Sequence, residues 1–281
     1  MKSLKSKLVT IVAVIVIATV VVSNILSNYI LESSFNNEIK RKHVSFSNAI
    51  ASNVELFMQQ SWILAQQLAN SPSVYEFDSK IQTKLSAETK ERNSFIDLIF
   101  IQDRKGMQTA RSNGNIGDRS SRWWFKKIII DQKPFISKSY YSLSGNIAVT
   151  SVFVPITSKT DDITGILGID IKLNALQEIV EKFSSESLYA YIIDGQGTVV
   201  AHPDKSQVSE LVNYKSNEKT ILVKNSQGVV KLDANGNQIT EKVKFSISNS
   251  LSNITADVLK GQSGFSQYEN INFSFEQWIS L

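Results

Sequence analysis

No cysteine occurs among the 281 residues, which excludes disulfides, thiol chemistry and cysteine-based zinc sites. Histidine is nearly absent as well. His43 and His202 stand far apart with no ligand-spaced partner, so a histidine-based metal site is not expected. The same scarcity leaves no nucleophile–base pair for an anchored hydrolase. Charge of one sign is not in excess: the net charge is only +4, and no basic stripe with interleaved aromatics occurs, so nucleic acid is not an expected partner. No Gly-x-Ser-x-Gly, phosphate-loop or dinucleotide fingerprint is present. The expectation is a chain with no catalytic residues, no metal and no cofactor, and therefore not an enzyme.

What is present begins with one long apolar run. Lys2, Lys5 and Lys7 precede residues 8–31, which carry no charge. As a helix, that run would extend about 36 Å, enough to cross a bilayer core. The lysines predict a cytoplasmic tail over residues 1–7, a membrane helix over 8–31 and an extracytoplasmic remainder in a single-pass plasma-membrane protein. The alternative is a cleaved signal peptide ending near Val21-Val22-Ser23. A pilin-like subunit would need an acid just inside the apolar run, and none stands there.

Proline and glycine are missing from Asn24 to Leu68, while Ile39, Phe46, Ile50, Val54, Phe57, Leu64 and Leu68 recur at helical spacing. This predicts one long helix running out of the membrane through residues 32–71 and stopping near Asn70-Ser71-Pro72. Its apolar stripe reads either as core or as the seam of a homodimer, and dimerisation through the long helix is the favoured reading.

Beyond it the pattern changes to strands and turns. The strand-like run Phe95–Gln102 leads into Asp103-Arg-Lys-Gly106. The run Leu188–Ile193 leads into Asp194-Gly-Gln-Gly197, ninety-one residues after the first turn. In both, an aspartate opens the turn and a glycine supplies positive φ at its end, and an alanine recurs at the same offset, Ala110 and Ala201. The first copy continues through residues 134–141, a Ser144-Gly145-Asn146 turn, strands over 147–156 and 163–171, and a helix over 174–183. Two similar α+β modules in series are predicted, over residues 72–183 and 184–281. Asp233-Ala-Asn-Gly236-Asn lacks the acidic spacing of a calcium loop and reads as a hairpin turn.

The chemistry-bearing residues cluster in the first module. Arg119-Ser-Ser-Arg122-Trp123-Trp124-Phe125, Tyr140-Tyr141 and Gly165-Ile-Leu-Gly-Ile-Asp170 place a fixed cation, two indole donors, two phenols and a carboxylate among short strand-like runs. Such a set can hold both ends of a small zwitterion. Arg122 offers a planar fork of donors suited to a carboxylate. Trp124 can add an indole N–H and a wall. Asp170 can pair with an ammonium, and one of the two tyrosines can add a phenol oxygen. The other must face away, because successive side chains on a strand alternate. Other roles stay open: Arg122 bridging to Asp118 or Asp131, Trp123 as core or rim, and Asp170 as a capping or buried structural acid. His202-Pro203-Asp204 reads as a structural turn.

Taken together, the apolar N-terminal run, the long helix, Arg122-x-Trp124-Phe125, Gly165–Asp170 and Tyr191-Ile-Ile-Asp194 through His202-Pro203 resemble the extracellular double Cache (dCache) domains of bacterial chemoreceptors and related sensor kinases. The resemblance implies an α+β fold: a membrane helix continuing into a stalk, then two PAS-like modules with antiparallel sheets, ligand being held in the membrane-distal one. It also implies an amino-acid site, since the amino-acid-binding version uses an Arg-x-Trp-Tyr box, a later Tyr and a later Asp. Arg122, Trp124, Tyr140 and Asp170 fall in that order, while Phe125 stands where the pattern prefers Tyr.

The expected function is extracytoplasmic sensing of an amino acid by a transmembrane chemoreceptor, with Arg122, Trp124, Phe125, Tyr140 and Asp170 as ligand-binding residues. The alternatives are the sensor domain of a histidine kinase or cyclic-dinucleotide enzyme binding an amine, carboxylate or purine, or a non-signalling receptor fragment. Gly261–Tyr268 resembles a middle strand of the second module, and the expectation is that this module is truncated at Leu281, before the family's second membrane helix.

Overall fold

The computed structural model describes residues 4–158, 162–185, 189–269 and 276–280. Helix α1 spans Leu4–Ala69, 66 residues, and its uninterrupted course follows from the lack of helix breakers. It is long and apolar enough near the N-terminus to cross a membrane, and that stretch is wholly exposed. The chain leaves it at Asn70-Ser71, as expected, and enters the short α2 (Pro72–Tyr75), with proline at its first position. Met1–Ser3, with Lys2, and the side chains of Lys5 and Lys7 lie outside the described residues.

Helix α3 (Ser79–Arg92) has no counterpart in the sequence reading. Asp78 caps it by accepting from the backbone N–H groups of Lys80 and Ile81. Strands β1 (Ile96–Asp103) and β2 (Gln108–Arg111) form the first hairpin, helix α4 (Trp123–Asp131) follows, and β3 (Phe135–Ile136), β4 (Tyr140–Tyr141), β5 (Ala148–Thr157) and β6 (Ile163–Lys172) complete an antiparallel sheet. Its order is β2-β1-β6-β5-β3, with β4 also paired to β5. Helix α5 (Leu173–Phe183) ends the first half.

This sheet is covered on both faces, so its central strands are buried almost throughout. Ile99, Ile101, Val152, Val154, Ile156, Leu167, Ile169 and Ile171 point toward Ala65, Leu68 and Ala69 of α1. Leu98, Phe100, Phe153 and Ile166 point the other way, toward Trp124, Phe125 and Ile128 of α4. The period of two therefore puts Gly168 and Asp170 on the α4 face with Ile166. The stripe on α1 from Phe46 onward packs against the chain's own cores, with Ile50 and Leu68 buried. It is core, and a helix partner would have to use another face, where Leu56 and Ile63 are exposed.

The second half is built from smaller pieces: β7 (Ile192–Ile193), β8 (Val199–Ala201), α6 (Lys205–Ser209), β9 (Glu218–Leu222), β10 (Thr240–Lys244), α7 (Asn249–Val258), β11 (Phe265–Glu269) and β12 (Glu276–Ser280). Among the described residues these strands form three separate two-stranded pairs, β7–β8, β9–β10 and β11–β12. The strand expected over 188–193 is confined to Ile192–Ile193, and Leu188 lies outside the described residues. The strand expected within 261–268 is β11, paired only with β12.

The repeat holds down to single hydrogen bonds. Asp103 Oδ1 accepts from the N–H groups of Lys105 and Met107, and Asp194 Oδ1 from those of Gln196 and Thr198. Gly106 and Gly197 adopt φ of 96° and 85°, where a side chain would be strained. Ala110 pairs with Ile101 and Ala201 with Ile192, and both alanines are fully buried. The Asp233–Gly236 segment makes the same turn, as a hairpin, with Asp233 Oδ1 accepting from Asn235 and Asn237.

Candidate functional site

Four of the five expected residues converge. Arg122, Trp124, Tyr140 and Asp170 line one cavity of about 20 Å³ on the α4 face of the sheet, together with Leu98, Phe100, Gln108, Arg111, Arg119 and Leu143. Phe125 is buried in the adjacent apolar cluster and does not line the cavity. The box does not lie on strand-like runs: Trp123–Asp131 is helical, because Trp124, Phe125 and Ile128 fall on one helical face that the sheet buries. Arg122 is the residue before the first turn of α4, in extended conformation, and so projects beside the helix N-terminus.

Asp170 is 2% exposed and sits opposite Ser151 in the β5–β6 register. Its Oδ1 accepts from Ser151 Oγ at 2.7 Å and from the Tyr140 hydroxyl at 2.8 Å. Burial pushes its pKa up, and these two hydrogen bonds oppose the shift. Burial likewise raises the Tyr140 phenol well above its ordinary value, with the Asp170 charge adding to the effect.

The tyrosines divide as alternation requires. Tyr141 turns to the other core and donates to the carbonyls of Ser209 and Thr220 in the second half, at 2.8 and 2.6 Å. Trp124 stacks on Phe153 with ring centroids 4.9 Å apart. Trp123 is a half-buried rim residue, edge-on to Tyr140 and beneath the Lys138 ammonium.

Arg122 bridges neither Asp118 nor Asp131. Asp131 pairs with Lys127, and Asp118 accepts from the Ser120 N–H. Instead Arg122 Nη1 donates to Asn237 Oδ1 at 3.0 Å, from the hairpin turn of the second half. Sequence reasoning missed Arg111, Gln108 and Ser151, and gave Arg119, though it opens the aromatic run, no role in the site. The legible signal for Ser151 was its place across from Asp170 once the two long strands are paired; for the arginines it was three cations within residues 111–122.

A larger cleft of about 450 Å³ lies between α5 and α6, lined by residues including Gln177, Glu178, Glu181 and Lys205. The Lys205–Glu181 ion pair spans 3.1 Å there, and none of the expected residues reaches it. The smaller cavity is the better candidate because four charged groups, Arg111 of β2, Arg119 and Arg122 before α4 and Asp170 of β6, meet in it away from the surface, whereas the cleft is walled by partly exposed helix surface. At about 20 Å³ the cavity holds about one water, so admitting an amino acid requires its side chains to part. His202 is structural: its Nδ1 accepts from the Asp204 N–H, and burial lowers its pKa.

Residues 28–279 match the family model described as Cache domain. The methyl-accepting chemotaxis protein PscA of Pseudomonas syringae pv. tomato (strain ATCC BAA-871 / DC3000) is 21% identical over 238 residues, which cover 81% of this chain and 36% of that protein. The chain thus spans about a third of that relative's length. Among solved structures, the extracellular domain of mmHK1S-Z3, described as a histidine kinase, aligns with a TM-score of 0.61 at 11% identity, covering 84% of this chain and 87% of that one. The ligand-binding domain of the Pseudomonas fluorescens chemoreceptor CtaA, in complex with L-valine, aligns with a TM-score of 0.53 at 15% identity, covering 75% and 98%. With a family match over most of its length and the expected antiparallel α+β architecture, the chain belongs to the Cache domain family.

Proposed function

We propose that this chain is the extracytoplasmic sensing portion of a transmembrane chemoreceptor and that it binds an amino acid in the cavity between Arg122 and Asp170. The observation that carries the reading is that a guanidinium with free donors and a buried carboxylate face one cavity, so opposite ends of a zwitterion can be met at once. Arg122 and Trp124 take the carboxylate, Asp170 and Tyr140 take the ammonium, and Phe125 supports them from behind. The L-valine held by CtaA and the chemotaxis role in PscA's name support the ligand class and the output. The similarity to mmHK1S-Z3 favours a second output, control of a histidine kinase, through the same site.

In this reading residues 1–7 are cytoplasmic, 8–31 cross the plasma membrane, 32–71 form the stalk, and 72–183 and 184–281 are the membrane-distal and membrane-proximal modules. The chain works as a homodimer through α1, using the face that carries Leu56 and Ile63. Ligand must favour one of two arrangements of α1 to send a signal.

The test is a thermal-shift screen of the full chain in detergent against amino acids, amines, carboxylates and purines, repeated with Arg122→Ala. A ligand at 100 times its Kd adds about 2.7 kcal/mol to the folded state. Stabilisation by amino acids that disappears in Arg122→Ala is expected, and a folded protein indifferent to all amino acids refutes the reading.

A further inference from the structure

We infer that the amino acid bound here is acidic, an amphoteric molecule carrying a second carboxylate that Arg111 and Arg119 receive. The inference rests on the sensing function proposed above and narrows its ligand class. Three guanidiniums, Arg111, Arg119 and Arg122, line the cavity against one carboxylate, Asp170. Among the described residues every ion pair is made by a lysine, and none of these arginines takes part in one.

Their hydrogen-bonding capacity is largely unused. Each guanidinium has five N–H donors. Among the described residues Arg111 uses two, on the Asn113 carbonyl and Gln108 Oε1; Arg119 uses one, on the Asp118 carbonyl; Arg122 uses one, on Asn237. The Nε groups of Arg119 and Arg122 are buried with no partner. Arg111 is buried and Arg119 and Arg122 are half-buried. A desolvated cation is costly unless it is paired, so a cavity lined by three guanidiniums and one carboxylate suits an anionic group.

Burial pulls the pKa of both Arg111 and Arg119 down, and each is lowered further by a neighbouring guanidinium, Arg119 for the first and Arg122 for the second. Asp97, Asp118 and Asp233 act on Arg111, Arg119 and Arg122 respectively from outside the lining, so Asp170 is the carboxylate that faces the cavity among the described residues. A neutral amino acid has no net charge and would leave the excess of two positive charges intact. A dicarboxylate without an amine would balance the charge but give Asp170 no cation. An acidic amino acid halves that excess and still supplies a cation: one carboxylate for Arg122, a second for Arg111 and Arg119, and an ammonium for Asp170. The planar fork of arginine suits carboxylates in particular.

The experiment is isothermal titration of the full chain in detergent micelles with L-aspartate, L-glutamate, L-asparagine, L-valine and succinate. Aspartate or glutamate is expected to bind at least tenfold more tightly than asparagine, valine or succinate. Arg119→Gln should weaken the acidic ligand more than valine, and Arg119→Lys should restore part of the difference, with circular dichroism melts confirming that both variants fold. Equal or tighter binding of valine or asparagine overturns the second carboxylate while leaving the zwitterion site standing. Succinate matching aspartate overturns the need for an ammonium. A folded chain that binds none of the five overturns this inference together with the function it rests on.

Discussion

Tyr140 donates its phenolic proton to Asp170 across 2.8 Å, joining two residues thirty positions apart on the wall of the cavity. The contact gives Oδ1 its second hydrogen bond, beside that from Ser151, while among the described residues Asp170 makes no ion pair. That combination sets the first prediction.

Asp170→Asn should weaken amino-acid binding and strengthen the fold. Loss of a charged hydrogen bond of about 1.5–3 kcal/mol corresponds to roughly ten- to a hundredfold in Kd. For stability the sign follows from burial. An aspartate titrates near pH 3.9 when unfolded, and burial raises the pKa of Asp170 in the fold. Its contribution is therefore fully present below about pH 4 and is lost as pH rises through the raised value. The Tm advantage of Asp170→Asn should be larger at pH 7 than at pH 4, and melts showing the reverse order would refute the assignment.

Tyr141→Phe separates the two tyrosines. It removes the hydroxyl that holds the Ser209 and Thr220 carbonyls. The fold should lose about 1 kcal/mol, read by urea denaturation, while calorimetric affinity for the ligand stays at the wild-type value.

Gly168→Ala should damage both fold and site. A Cβ there would run into the Phe100 ring, and Phe100 lines the cavity. Overpacking of this kind costs about 1–3 kcal/mol. A lowered Tm with weakened ligand binding is expected; a variant as stable as wild type would mean the strands have room that this packing does not show.

Asn237→Ala removes the carboxamide that occupies Arg122. If ligand and Asn237 compete for that guanidinium, the free protein loses a contact that the complex does not contain. Calorimetry should then show tighter binding, by about tenfold for a charged hydrogen bond near 1.5 kcal/mol. Weaker binding would place Asn237 among the ligand's own contacts.

Much of this was legible in the sequence, for physical reasons that can be named. The long helix showed because nothing in Asn24–Leu68 interrupts it. The repeat showed because an Asp-x-x-Gly turn needs both residues, and Asp103 and Asp194 bond identically. Helix α4 was hidden because Trp123-Trp124-Phe125 and Ile128-Ile129-Ile130 make a short apolar run, which periodicity cannot assign to helix or strand. Helix α3 was hidden because it buries only Gln82 and Ser86, so it carries no apolar stripe. Arg111 escaped notice, and Arg119 was given no role, because a lone cation on a strand or loop looks like surface. Only the pairing of β1 with both β2 and β6 brings Arg111 to the same cavity as Asp170. Asn237 could not be found at all, since its link to Arg122 spans 115 positions.

The uninterrupted course of α1 turns small packing changes into large displacements. Its segment from Phe46 to Ala69 is gripped by both cores, and among the described residues neither core includes a residue of α1 before Phe46. Leu8 lies 42 residues from Ile50, a lever arm of about 63 Å at 1.5 Å per residue. A tilt of about 2° at Ile50, well within what side-chain repacking allows, swings the far end sideways by about 2 Å. Sliding along the axis reaches the far end unchanged in size, whereas a tilt arrives enlarged, so under the proposed sensing function a pivot of the rod is the motion this geometry magnifies.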